Sequence, residues 1–284
     1  MQVKEARQFG KRYLDEHSPT PALDADVLLM HITKLNRTQL LAHYDHILSE
    51  NEEARYRDVL ARRKEREPVA YIVQEKEFWG LRFIVDERVL VPRPETELLV
   101  ELCLKELAHH VGVLRILELG VGSGCISTAL AVELEKQQRK FSILAIDVSE
   151  SALELAAENL AAHSVDKLVQ LQKSNWFSEL SPERFNLIVS NPPYVADGDS
   201  YTSPELQYEP SRALYAGPLG MSAIKIILRK APDFLYPQGV LAFEHGSGQR
   251  EYLYTQCKEE LEAYSAVRTE PDLEGRDRVT IAIK

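Results

Sequence analysis

The first 75 or so residues carry apolar positions at helical spacing and never alternate in the manner of a strand. Leu23, Val27, Leu28 and His31 share one stripe, and Leu40, Leu41 and Tyr44 another, with Asp24 and Thr38 as expected N-caps. The pattern then changes. Phe78, Trp79, Phe83, Val85, Val89 and Val91 alternate around Gly80 and Asp86-Glu87, which predicts a β-hairpin. The segment PRPET (92–96) breaks the run, and Leu98, Leu99, Leu102 and Leu107 continue on a helix with Pro94 suited to its first turn. From Leu114 onward, short apolar runs alternate with helical stretches. LRILEL precedes a helix from about Gly124, and FSILAI precedes one from about Ser149. LVQLQ and FNLIVS follow, then a helix near 221–235, GVLAFEH with a further helix, and two closing strands near 265–268 and 279–283. Repeated βα units predict an α/β fold, a doubly wound sheet with its sites at the carboxyl ends of the strands.

Composition narrows the class. At 284 residues with 44% hydrophobic and 27% charged content, the chain is an ordinary globular protein long enough for two domains. The net charge is −10, and the first 75 residues hold 12 Lys/Arg against 13 Asp/Glu, so the acidic excess lies in the remainder. That balance argues against a nonspecific nucleic-acid binder. The locally basic run RYRDVLARRKERE (55–67) reads as a solvated helix face. Three widely spaced cysteines, Cys103, Cys125 and Cys257, make neither a disulfide framework nor a zinc site, which fits a reducing cytosol. No apolar run approaches a membrane span, and the charged opening MQVKEARQFGKRYLDEH does not suit a secretory signal.

The candidate chemistry sits at strand ends. ILELGVGSGC places Gly120, Gly122 and Gly124 in the turn from the first sheet strand to the first helix, where backbone without β-carbons can approach a ligand beside helix N–H groups. Cys125 stands where a dinucleotide fingerprint needs its third glycine, so a nucleoside without pyrophosphate fits better than a nicotinamide. Asp147, closing LAID, suits the two hydroxyls of a ribose; a helix N-cap is the alternative reading. After the third strand, SNWF offers Trp176 as an apolar surface for a purine and Asn175 as an amide for its edge. FNLIVS then runs into SNPPYV. Two prolines end the strand and stiffen the turn, leaving the Asn191 carboxamide, the Pro192 carbonyl and the Tyr194 ring to hold a planar N–H₂ group while its nitrogen is alkylated.

Taken together, these segments resemble the S-adenosylmethionine-dependent methyltransferases that modify the glutamine side chain of peptide-chain release factors. The resemblance covers essentially the whole chain: the helical start, the FWG hairpin, VLVPRPETELLVE, ELGVGSG, AIDVS, NWF, SNPPYV, QYEPSRALYAG and GRDRV. NPPY alone would also fit adenine-amino methyltransferases of DNA or RNA; PRPETE (92–97) is the more selective segment, and the charge balance disfavours a nucleic-acid substrate. The family implies a seven-stranded, mostly parallel, Rossmann-like methyltransferase sheet over 93–284. A small all-α substrate-recognition domain (1–75) and a β-hairpin linker (76–92) would precede it.

The same resemblance implies that Gly120, Val121, Gly122, Ser123 and Gly124 line the methionine moiety of S-adenosylmethionine, that Asp147 binds ribose and that Trp176 covers adenine. Asn191 would touch cofactor and substrate, and Asn191, Pro192, Pro193 and Tyr194 would clamp the substrate amide. Asn191, Pro192 and Tyr194 would be the catalytic set, with no metal. The expected substrate is the glutamine of the Gly-Gly-Gln motif of release factors, methylated at N5 by a cytoplasmic, monomeric enzyme of translation termination that binds neither nucleic acid directly nor membrane. Glu118 and Asn175 depart from the family, standing where many members carry Asp. In this reading the Asn191 side-chain oxygen and the Pro192 carbonyl each accept one N–H of the substrate amide, and Tyr194 stacks on its plane.

Overall fold

The computed structural model describes residues 1–199 and 203–284, which form two compact units, one of 1–75 with 203–208 and one of 76–199 with 209–284. The first unit is helical: α1 (Val3–Leu14), α2 (Pro21–Thr33), α3 (Arg37–Ala42), α4 (Glu50–Lys64) and α5 (Val69–Val73). Its core gathers Leu14, Leu28, Leu29, Leu40, Tyr56 and Leu60, all fully buried. Gly10 lets α1 approach closely, because a β-carbon there would lie 2.1 Å from the Tyr56 hydroxyl.

The sequence stripes are displaced from the buried faces in this unit. Pro21 starts α2 after Thr20, so Asp24 lies inside the first turn and does not cap it. The face turned inward is Ala25, Leu28, Leu29 and Ile32, while Leu23 is left 53% exposed. Asn36, and not Thr38, caps α3, accepting the Gln39 N–H at 2.8 Å in a full capping box, and Leu41 and Tyr44 face solvent.

The charged side chains of the basic run stay at the surface except that of Arg63, which is buried. Its guanidinium donates to Asp24 at 2.7 Å, to Glu205 at 2.9 Å and to the Glu67 carbonyl at 3.2 Å. Ser18 and Thr20 also donate to Asp24, at 2.7 and 2.9 Å. A charge removed from water survives only when its hydrogen bonds are filled in this way.

The second unit opens with β1 (Glu75–Phe78) and β2 (Leu81–Ile84), joined through Trp79 and Gly80, both at positive φ as a tight two-residue hairpin turn requires. The alternation through Val85, Val89 and Val91 does not continue as strand. A turn closed by the Val89 N–H on the Asp86 carbonyl intervenes, and the three valines are buried in irregular backbone.

The main sheet follows. Its elements are α6 (Thr96–Leu107), β3 (Leu114–Leu119), α7 (Cys125–Lys136), β4 (Phe141–Asp147), α8 (Glu150–Ala162), β5 (Val169–Lys173) and β6 (Phe185–Ser190). Then come α9 (Ser211–Leu214), α10 (Ser222–Phe234), β7 (Leu235–Glu244), α11 (Arg250–Gln256), α12 (Lys258–Leu261), β8 (Ala266–Pro271) and β9 (Asp277–Ile283).

Seven strands pair in the order β5-β4-β3-β6-β7-β9-β8, with only β9 antiparallel to its neighbours. This is the expected doubly wound, mostly parallel sheet. The chain steps from β3 outward to β4 and β5, then returns to the other side of β3 as β6. The order therefore reverses at β3, where open α/β sheets form their ligand crevice. Register aligns Leu119 with Ile146 on one side and with Ser190 on the other, so three strand ends open at one level. No described helix is long and apolar enough to cross a membrane.

The buried Arg63 generates a stability prediction. Arg63→Ala leaves Asp24 charged and short of its cation, and should lower unfolding free energy by about 3 kcal/mol. Urea unfolding should show the loss at neutral pH; an unchanged midpoint would mean that the hydroxyl donors of Ser18 and Thr20 suffice.

Candidate active site

Three strand ends and the segment 87–96 enclose a cleft of about 990 Å³. On the β3 side, Gly120, Val121, Gly122 and Ser123 form one wall. The turn is held from behind: the N–H groups of Gly120 and Val121 both donate to the Ile146 carbonyl, at 2.9 and 2.8 Å. Gly120 and Gly122 have φ of 76° and 52°, and β-carbons on them would meet nothing within 4 Å, so their bare backbone faces open space. Gly124 differs. It does not line the cleft; at φ 81° it caps α7, and a β-carbon would press on Ala156 at 3.4 Å.

Asp147 ends β4 at the cleft. Its Oδ2 accepts the Gly122 N–H at 3.0 Å and its Oδ1 the Ser149 N–H at 2.9 Å, while Ser149 itself caps α8. The helix-cap reading of Asp147 therefore fails, and each carboxylate oxygen keeps acceptor capacity toward the cleft. Trp176 is half-buried, packed against the sheet core on one side and lining the cleft on the other; Asn175 lines the cleft beside it.

Glu118 is buried among the lining residues. Ser127 donates to its Oε2 through both hydroxyl and backbone N–H, the latter at 3.0 Å, while Oε1 has no partner among the described residues. Burial is the main cause that pushes its carboxyl up to about 8, aided by the nearby Asp147 charge and opposed by the Ser127 bonds. A buried oxygen left over at a cleft wall is a place for a ligand donor.

At the end of β6 the Ser190 hydroxyl donates to the Leu119 carbonyl at 2.8 Å, tying the strand to the glycine turn. Asn191, Pro192 and Pro193 then enter the cleft wall. Tyr194 does not line the cleft. Its ring packs against the sheet core and its hydroxyl donates to Glu244 at 2.8 Å. The Gln249 side-chain amide donates to the Tyr194 carbonyl at 2.9 Å, and a β-carbon at Gly220 would come within 2.0 Å of that oxygen. The opposite rim is fixed by buried Glu209, which accepts from the Val91 N–H at 3.0 Å and from Arg93 at 2.5 Å.

Residues 5–73 match the PrmC N-terminal domain and residues 94–206 the methyltransferase small domain. The chain is 39% identical to the release factor glutamine methyltransferase of Pasteurella multocida (strain Pm70), over 99% of each chain. It is 42% identical to that of Vibrio cholerae serotype O1, over 93% of this chain and 90% of the relative. The chain belongs to the release factor glutamine methyltransferase family. The fold of the family's class is shared with a solved methyltransferase from Pyrococcus furiosus, at 22% identity and a TM-score of 0.51 over 83% of this chain and 99% of that one.

Several residues that shape this family member's cleft were not singled out from sequence. Glu209, Glu244 and Gln249 hold the turn or its rim through the bonds above, and Thr96 joins them by donating its hydroxyl to Glu244 at 2.7 Å. Glu244 had a legible signal, since it closes a sheet strand at the carboxyl edge beside β6. Asn159 had none: buried on α8, it donates to the carbonyls of Ser123 and Ile84 and accepts the Ile84 N–H, fastening hairpin and glycine turn together.

The raised Glu118 generates a pH prediction. The folded state keeps a proton to about pH 8 that an ordinary glutamic acid releases near 4.5. Between those values the native state binds more protons than the unfolded chain, so stability falls as pH rises through the window. Glu118→Gln removes this term. Its stability relative to wild type should rise by a few kcal/mol, on the order of 1.4 per pH unit, from pH 5 to 8 and then level off. Urea unfolding across pH measures the difference; a pH-independent gap would remove the buried-charge account.

Proposed function

We propose that this protein transfers a methyl group from S-adenosylmethionine to the side-chain amide nitrogen of a glutamine in a peptide-chain release factor, the residue in its Gly-Gly-Gln motif. The observation that carries the proposal is the meeting, in one cleft, of the Asn191–Pro193 turn with the glycine turn and Asp147. The cleft suits the cofactor on its own chemistry: bare glycine backbone, the Asp147 carboxylate with unused acceptor capacity and an indole beside the Asn175 amide. Gly120 to Ser123 would hold the methionine part, Asp147 the ribose hydroxyls, and Trp176 with Asn175 the adenine. When bound, S-adenosylmethionine supplies an electrophilic methyl on a sulfonium.

The chain's own task is to prepare an amide nitrogen whose lone pair is delocalised. The Asn191 oxygen and the Pro192 carbonyl accept the two N–H groups of the substrate amide and orient the lone pair toward the methyl. Both bonds strengthen as positive charge develops on nitrogen. The proline pair keeps the two acceptors rigid, so little orientational freedom is lost at the moment of reaction. The proton leaves after transfer, and no strong base is required. Tyr194, with its hydroxyl committed to Glu244, braces this turn from the core side.

The helical unit is assigned to the protein substrate. Glutamine is common to all proteins, so selectivity needs contacts away from the reacting nitrogen. Its described residues hold no glycine turn or strand end for a nucleotide, and it exposes Leu23, Leu41, Tyr44 and Ile47.

The decisive experiment incubates the protein with methyl-labelled S-adenosylmethionine and a purified, folded release factor, then maps the label by mass spectrometry. Label on the Gly-Gly-Gln glutamine is expected; label elsewhere, or none, overturns the proposal. Two substitutions refine it. Asn191→Ala should cut turnover about a hundredfold or more, the range for removing one oriented polar group, with a much smaller effect on cofactor affinity. Asp147→Ala should weaken cofactor binding by roughly 1.5–3 kcal/mol, as expected for a charge-assisted acceptor, and calorimetry reads it directly.

A further inference from the structure

Behind the cleft wall a chain of hydrogen bonds leads from Asn191 into the sheet. The Asn191 Nδ2 donates to Thr96 Oγ1 at 3.0 Å, Thr96 Oγ1 donates to Glu244 Oε2 at 2.7 Å, and the Tyr194 hydroxyl donates to Glu244 Oε1 at 2.8 Å. Thr96 and Glu244 are buried, on α6 and at the end of β7 respectively. We infer that Thr96 and Glu244 are positioning residues, which set which end of the Asn191 carboxamide faces the reacting amide.

Hydrogen-bond polarity fixes the orientation. A carboxylate only accepts, so both Tyr194 and Thr96 must spend their single hydroxyl protons on Glu244. Thr96 Oγ1 is left with lone pairs alone, and it can meet Asn191 only as an acceptor. The Asn191 NH₂ is therefore turned to Thr96 and its oxygen is free for the cleft. The opposite orientation would set an NH₂ against the substrate's NH₂, donor to donor. Burial raises the Glu244 carboxyl above its usual range and the Glu95 charge adds to that, while the two donated bonds and the Arg278 charge on β9 oppose the shift; it is the ionised form of Glu244 that fixes the polarity of the chain. The sequence does not make this choice locally, since Asn191 in a bare turn would flip at small cost. Glu244 adds a second constraint through Tyr194, in the same turn as Asn191, so one buried carboxylate holds the turn at two points.

The inference rests on the proposed glutamine methylation, and its test separates the two. Thr96→Val keeps size and removes the hydroxyl; Thr96→Ser keeps the hydroxyl and removes the methyl; Glu244→Gln replaces the acceptor with a group that also donates. Turnover and KM for the release factor, cofactor affinity by calorimetry and melting temperature are measured for each. Thr96→Val and Glu244→Gln should lose kcat tenfold or more, with KM and cofactor affinity within about threefold of wild type. Thr96→Ser should stay within about threefold in kcat. Combining Thr96→Val with Glu244→Gln should cost little beyond either alone, because both break one chain. Wild-type kcat in folded Thr96→Val overturns the inference, as does a serine variant as poor as the valine. If Thr96→Val does not fold, the serine and glutamine variants decide alone: loss in Ser, or none in Gln, overturns it. A wild-type protein that labels no glutamine overturns the proposed function and this inference with it, whereas an active wild type with equally active variants overturns the inference alone.

Discussion

The parallel pairing of β6 against β3 is the constraint on which the rest depends. Parallel strands carry their carboxyl ends to the same edge, so the register Leu119 to Ser190 puts the glycine turn and the proline turn side by side. The Ser190 hydroxyl on the Leu119 carbonyl locks that edge with a fully buried bond. On the other flank β4 brings Asp147 to the same level, and its carboxylate is bonded to the Gly122 N–H of the neighbouring turn. Residues 25 positions apart (Gly122 and Asp147) and 71 apart (Leu119 and Ser190) thus meet at one edge of the sheet.

A second theme is what the fold does with buried charge. Arg63 with Asp24 in the helical unit, and Glu244 with Thr96 and Tyr194 in the sheet unit, are each surrounded by donors or acceptors that fill the valence of the ion. Glu118 is not so treated. Its second oxygen has no partner among the described residues and its carboxyl is pushed up by burial, at the wall of the cleft assigned to the cofactor. Stability is given up there, which is the usual situation where a protein must keep capacity for a ligand.

The contrast also separates the two roles a polar residue can take around the proline turn. Asn191, Pro192 and Pro193 line the cleft, whereas Tyr194 and Glu244 face inward and hold the turn. Adjacent residues in one short motif therefore divide into groups that meet a ligand and groups that brace. Spacing alone does not divide them, because Asn191 is held by Thr96 on α6 and Tyr194 by Glu244 on β7, both far away in the chain.

Much of the fold was legible in the chain. Short apolar runs such as LRILEL and FNLIVS, bounded by glycine or proline turns, fit strands buried on both faces, so the order of βα units and the strand ends followed from length and punctuation. Gly120, Asp147 and Asn191 were legible too, since each stands at a strand's carboxyl end with chemistry that regular structure does not need. Tertiary structure decided the rest. It rotated α2 so that Ala25 and Ile32, and not Leu23, face the core; it drew Asp24 from a cap into an ion pair with Arg63, 39 residues away; and it turned Tyr194 from the cleft to Glu244. The physical reason is common to all three. Local patterning tells how much of an element is apolar and where it ends, but the partner that fills a buried polar group comes from a distant part of the chain.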